Sequence, residues 1–151
     1  LLITAEDTHL TGIWYDTARS IPSGAVSTED APIIRQTCRW LDCYFLGNPC
    51  ETGTLFLKSQ GTAFQTLVWD LLLEIPWGKT TTYGELAKLA ALRMGKERMS
   101  AQAVGYAVGK NPISIVIPCH RCLGAGNALT GYAGGLDRKR FLLDLEQIQY
   151  K

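Results

Sequence analysis

Apolar positions recur along this chain with two periods, and the change from one to the other marks its elements. LLIT (1–4) and LTGIWYD (10–16) are short strand candidates, with Trp14 and Tyr15 placed to pack on a core. SIPSGAVSTED (20–30) has the composition of a loop. APIIRQTCRWLDCYFLG (31–47) predicts a helix that opens near Pro32 and ends at Gly47, with Ile34, Cys38, Leu41 and Phe45 on one face. TLFLK (54–58) predicts a third strand. From Gly61 the pattern turns helical. Thr62 and Gln65 form a capping box, and Phe64, Leu67, Val68, Leu71, Leu72 and Ile75 make a broad apolar stripe. After PWGK, a second box, Thr82 and Glu85, opens YGELAKLAAL. Beyond the polar stretch RMGKERM, Ser100 is an N-cap for AQAVGYAVG, which KNP ends. ISIVI (113–117) reads as an apolar strand, and LGAGNALTGYAGG (123–135) as a hairpin or wing. LDRKRFLLDLEQIQ (136–149) reads as a helix with Phe141, Leu142, Leu145 and Ile148 inward.

These elements group into a small α/β part, residues 1–59, and a mainly helical part, residues 60–151: an α+β chain. Helix, break and small-residue helix is the pattern of a helix-turn-helix. Ala103, Gly105, Ala107 and Gly109 leave the second helix able to approach something closely, and spacing alone favours another helix as that neighbour. The 151 residues, 46% hydrophobic, suffice for one core or two small ones. No apolar run reaches membrane-spanning length, so no membrane association is expected. LLITAEDTHLTG lacks a basic n-region and a long apolar stretch, so it is not a secretory signal, and a start at Leu leaves room for an upstream segment. Five cysteines in no disulfide spacing fit a reducing cytoplasm. The net charge of +1 divides unevenly. Residues 1–59 carry four Lys and Arg against seven Asp and Glu, and residues 60–151 carry eleven against seven. A polyanion would be met by the second part, although counts this small also arise by chance.

The densest chemistry is IPCHRC (117–122). A redox pair would sit where a strand meets a helix, but loop chemistry follows here. Zinc needs about four ligands, and His9, Cys38, Cys43 and Cys50 supply no second C-x-x-C. Cys38 fits a buried hydrophobe, and haem attachment would need the His after the second Cys. One activated thiol remains. Pro118 fixes the backbone, His120 supplies a base and Arg121 a nearby charge. Glu146 is a candidate for orienting the base, although periodicity does not single it out.

IPCHR resembles the active-site motif of the O6-alkylguanine-DNA alkyltransferases (methylated-DNA–protein-cysteine methyltransferases). The likeness extends through GTAFQTLVWDLLLEIPWGKTTTYGELA, SAQAVGYAVGKNPISIVIPCHR and LTGYAGGLDRKRFLLDLE, most of residues 60–146. It implies a ribonuclease H-like N-terminal domain and a winged helix-turn-helix domain. It implies a cytoplasmic monomer that binds double-stranded DNA through the minor groove and flips an O6-alkylguanine, or an O4-alkylthymine, out of the stack. Cys119 would take the alkyl group irreversibly, once per molecule. By resemblance His120 is the base acting through a water, Glu146 its orienter, Tyr83 a proton donor that helps rotate the phosphate, and Asn111 a hinge. Tyr132, Ala133 and Gly134, with Pro118 and Val116, would line the base pocket. Ser100, Gln102, Ala103, Tyr83 and Arg121 would meet DNA, the small residues of the helix over about 100–109 allowing close approach. Three positions depart from the family pattern: Cys122 replaces an aliphatic residue, Tyr106 a common glycine, and Gln102 an arginine that enters the gap left by the flipped base. Neither zinc nor another cofactor is expected. Two other readings stay open: a DNA-binding damage sensor or regulator, and a thiol hydrolase.

Overall fold

The computed structural model describes residues 1–15, 26–28 and 30–151. Most of the loop expected over 20–30 therefore lies outside the described residues. Helices combine with two small two-stranded sheets, an α+β protein. Two compact units form: Leu1–Gln60 with Pro112–Ser114, and Gly61–Asn111 with Ile115–Lys151. Residues 112–114, grouped by the sequence with the second part, thus belong to the first unit. Among the described residues no helix is long and apolar enough to cross a membrane.

In the first unit β1 (Leu2–Glu6) and β2 (His9–Trp14) form an antiparallel hairpin in which Ile3 opposes Ile13, with a register shift after Thr4. The other edge of β2 takes two isolated parallel bridges, Leu10 to Leu57 and Ile13 to Ile113. The expected strands TLFLK and ISIVI reduce to these bridges. Residues 52–54 wind into a 3-10 turn. Ile115 leaves the extended run at φ 72, a left-handed conformation a β-branched side chain rarely adopts.

The helix α1 (Pro32–Phe45) has Pro in its first turn and ends at Leu46, with Gly47 at φ 81. Its buried face is Ile33, Thr37, Trp40, Leu41 and Tyr44, not the expected Ile34, Cys38 and Phe45. Cys38 and Phe45 are exposed. Leu41 belongs to both possible stripes, and the stripe carrying Trp40 and Tyr44 has more apolar area to bury. Those two rings stack at 5.5 Å.

In the second unit α2 (Ala63–Leu73) and α3 (Tyr83–Arg93) each start at a complete capping box, Thr62 with Gln65 and Thr82 with Glu85. The helix α4 (Ala101–Gly109) starts at Ser100, whose hydroxyl accepts from the Ala103 amide. The Trp69 indole N–H donates to the Ala107 carbonyl at 2.9 Å and fastens α2 to α4. A Cβ on Gly61 would come within 2.5 Å of the Trp69 ring, so the indole is seated against bare backbone. The small residues of α4 divide: Ala107 is buried, Gly105 faces the Tyr83 ring, and Gly109 has open space beside it. A short parallel pair, β3 (Thr81–Thr82) with β4 (Cys122–Leu123), brings the start of α3 beside the cysteine motif. The expected hairpin or wing, 123–135, is a looped segment after β4. Its backbone is pinned to the C-terminus, Leu129 N–H to the Lys151 carbonyl and Lys151 N–H to that of Asn127. The last helix, α5 (Leu136–Leu145), buries Lys139, Leu142 and Leu143 and leaves Phe141 54% exposed.

Candidate active site

Backbone geometry fixes Cys119 before any side chain acts. Pro118 sits at φ −81 and ψ 61, and the Cys119 N–H returns to the Ile117 carbonyl at 2.8 Å. That is an inverse γ-turn, to which a proline's restricted φ is suited. A 3-10 turn, Cys119–Arg121, follows and leads into β4. Asn111, just beyond α4, spans the loop: its amide N–H groups donate to the Ile117 carbonyl at 2.9 Å and to the Cys119 sulfur at 3.1 Å. The Tyr132 side chain also hydrogen-bonds that sulfur. Cys119 is only 4% exposed. Burial pushes its thiol up, while Asn111, the Lys139 charge and Tyr132 pull it down; the net direction is up.

The end of α5 carries the second half of the site. The Ile148 N–H bonds the Leu143 carbonyl at 2.9 Å, the Gln147 N–H bonds that of Asp144 at 3.0 Å, and Gln147 lies at φ 57. This is a Schellman ending, with Leu143 and Ile148 supplying its apolar contact. It halts the helix with Glu146 turned inward, 2% exposed. His120 Nε2 and Glu146 Oε1 are 2.8 Å apart. Arg121 donates from Nε to Glu146 Oε2 at 2.7 Å and from Nη2 to Oε1 at 3.0 Å, and the Gly78 amide donates at 3.3 Å. Arg121 Nη1 is spent on the Ile75 carbonyl at 2.6 Å. Burial alone would raise the Glu146 carboxyl, but hydrogen bonds and charge from His120 and Arg121 prevail and hold it at about 2. Burial pushes His120 down despite Glu146, so the ring is neutral near pH 7. A neutral ring donating from Nε2 carries its lone pair on Nδ1.

Cys119, His120, Glu146 and Asn111 therefore converge. Tyr83 stands at the start of α3, half-buried, its hydroxyl raised chiefly by burial. Val116, Pro118 and Gly134 are buried, Tyr132 is half-buried and Ala133 is exposed. Gln102 and Ser100 lie exposed at the start of α4, with Ala103 half-covered. Arg121 corrects the expectation that it meets DNA. It is 9% exposed, and its guanidinium bonds Glu146 and a backbone carbonyl, because a buried charge persists only when paired.

Lys139 was not anticipated. It is fully buried, and its ammonium donates to the Cys122 carbonyl at 2.6 Å and to the Thr130 carbonyl at 3.1 Å, joining the cysteine strand to the loop before Tyr132. Burial lowers its pKa, against the opposing pull of Cys122 and Cys119. A signal for it exists in the chain: Lys139, Leu142, Leu143 and Glu146 follow the i, i+3, i+4, i+7 rule of one helical face. Phe141 and Leu145 satisfy a rival face equally well. Among the described residues no group of three or more His, Cys, Asp and Glu side chains could hold a metal.

Residues 63–148 match the family model described as 6-O-methylguanine DNA methyltransferase, DNA binding domain. The chain is 42% identical over 151 residues to a methylated-DNA–protein-cysteine methyltransferase of Haemophilus influenzae, covering 99% of this chain and 82% of the relative. It is 48% identical over 119 residues to the protein of that name from Methanosarcina barkeri, covering 79% and 72% of the two chains. Among solved structures it resembles Mycobacterium tuberculosis OGT in complex with DNA, with a TM-score of 0.82 and 36% identity over 96% of this chain and 84% of that one.

Proposed function

The chain belongs to the 6-O-methylguanine DNA methyltransferase family, and on that premise we propose that it repairs DNA by transferring the alkyl group of O6-alkylguanine to its own Cys119. The observation that carries this reading is the pairing of a buried thiol held by Asn111 with a neutral histidine held by Glu146. A buried thiol raised by its surroundings is protonated at rest and needs a base. His120 is kept unprotonated for that task, and Glu146 stabilises the imidazolium that forms.

In the proposed reaction the flipped guanine enters beside Cys119, lined by Tyr132, Ala133, Gly134, Pro118 and Val116. The thiol proton passes to His120 through a water. The sulfur attacks the alkyl carbon in line, forming a C–S bond as the C–O6 bond breaks and leaves its electron pair on the guanine. A proton from Tyr83, whose burial keeps the hydroxyl protonated, neutralises the base. The thioether has no leaving group for water to displace, so each molecule acts once. The first unit takes the part of the ribonuclease H-like domain. The second acts as the winged helix-turn-helix, with Ser100, Gln102 and Ala103 of α4 toward the minor groove. The protein works as a cytoplasmic monomer.

The test is to titrate the protein into methylated-guanine duplex and count repaired base against protein. Product should stop at one equivalent, with the methyl group on the peptide holding Cys119, and Cys119→Ala should bind DNA without transfer. Many turnovers would indicate a thiol hydrolase, and binding without any product a damage sensor.

A further inference from the structure

A second thiol site lies in the first unit, outside all of this chemistry. Cys43 stands in the last turn of α1, and Cys50 follows a loop that doubles back on the helix end. The reversal is built by backbone bonds: Leu46 N–H to the Asp42 carbonyl, Gly47 N–H to Tyr44, and Asn48 N–H to Cys43. Gly47, at φ 81, allows the left-handed step the turn requires. The loop brings the Cys50 and Cys43 side chains within hydrogen-bond reach of each other, and the Cys50 thiol also lies 3.3 Å from the Asn48 carbonyl. Cys43 is exposed and Cys50 partly so, whereas Cys119 and Cys122 are buried.

We propose that Cys43 and Cys50 form a redox-modification site, a surface dithiol that a low-molecular-weight disulfide such as oxidised glutathione converts reversibly into a Cys43–Cys50 disulfide. Cys43 is the sulfur a reagent in solution reaches more readily. Its thiolate attacks one sulfur of the reagent, whose S–S bond breaks to release one small thiol. Cys50 then attacks the Cys43 sulfur, and the mixed disulfide breaks to release the second. Two electrons leave the protein, and the two thiol protons end on the two released thiols. Burial, then the contact with Cys43 and its charge, hold the Cys50 thiol up at about 12. Cys38, also exposed on α1 but cut into a different tryptic peptide by Arg39, serves as an internal control.

The sequence makes the test direct. Trypsin cuts after Arg39 and Lys58 and at no site between, so one peptide, 40–58, holds Cys43 and Cys50 and no other cysteine. The full chain is exposed to oxidised glutathione, remaining thiols are blocked, and peptides are weighed without reduction. Peptide 40–58 should lose the mass of two hydrogens, carry no glutathione, and recover on treatment with dithiothreitol. Cys50→Ser should instead trap one glutathione on Cys43. The proposal fails if wild-type 40–58 keeps glutathione without closing, or if 40–58 stays reduced, whether or not Cys119 and Cys122 close.

Discussion

Glu146 serves two cations at once, and that divides what its substitution and that of His120 should do. Glu146→Gln leaves the buried Arg121 charge without its counter-charge, a change that typically costs ~3–5 kcal/mol. His120→Gln leaves the Arg121 pair whole. The glutamate variant should therefore show the larger fall in denaturation midpoint, while both slow transfer, by ~10²–10⁴-fold for loss of the base. Equal midpoints would show that Arg121 is satisfied elsewhere. The pH dependence has a fixed sign. His120 titrates below its ordinary 6.5, so a base limb in the transfer rate should lie on the acid side of that value. Stability follows the same direction. Below pH 6.5 the unfolded chain takes up a proton the buried ring refuses, and stability declines. Glu146, ordinarily near 4.5 and here about 2, adds stability that is full above pH 4.5 and lost as the pH falls through 2. Stability that stayed flat from pH 7 to 3 would contradict both assignments. Cys119 and His120 were legible because one short motif holds them. Lys139 was not, since a lysine between two arginines reads as solvated surface. Arg121 was misplaced because the motif gives its charge but not the carboxylate that captures it.

At the scale of elements, capping chemistry was the most legible signal. Both Thr boxes and Ser100 start their helices where the side chains bond the backbone, because that information is local. Helix faces were less legible. Where Leu41 in α1 and Leu142 in α5 fit two stripes, the partner surface decides, and the sequence does not display it. ISIVI failed as a strand because Ile115 turns out of the extended region, which no side-chain pattern announces. The exposed line of α4 yields a prediction at this scale. Gln102 and Tyr106 are one turn apart, Tyr106 is 65% exposed, and Lys110 Nζ lies 5.3 Å from its ring centroid. If this line meets the duplex, Gln102 fills the gap left by the flipped base and the Tyr106 ring stacks on DNA. Each alanine variant should lose ~1–2 kcal/mol, slowing duplex repair about 5- to 30-fold. Reaction with free alkylguanine, which needs no flipping, should barely change. Equal losses on both substrates would mean that these residues support the pocket or the fold.

At the scale of the molecule, the boundary the sequence suggests near residue 60 is incomplete. The chain enters the first unit at Pro112 and leaves it after Ser114. There Ile13 bonds both sides of the excursion, its N–H to the Pro112 carbonyl at 2.9 Å and its carbonyl from the Ser114 N–H at 3.1 Å. Ile13 and Ile113 are fully buried. The excursion is flanked by Asn111, which holds the Cys119 sulfur, and by Ile115, held in a left-handed conformation. A fragment covering 61–151 would keep every residue proposed for the chemistry yet lose the partners of 112–114. Its Ile113 would lose the bridge to Ile13, and Ile115, in a backbone state that costs of order 1–3 kcal/mol, would follow an unanchored segment. The segment should relax, and the Asn111 bond to the sulfur with it. The expected result is a fragment with a lower melting temperature and slower transfer even to free alkylguanine, which tests the thiol apart from DNA. Adding the first unit as a separate chain should recover part of both. A fragment that reacts with the free base as fast as the full chain would show that the geometry at Cys119 is set wholly within 61–151.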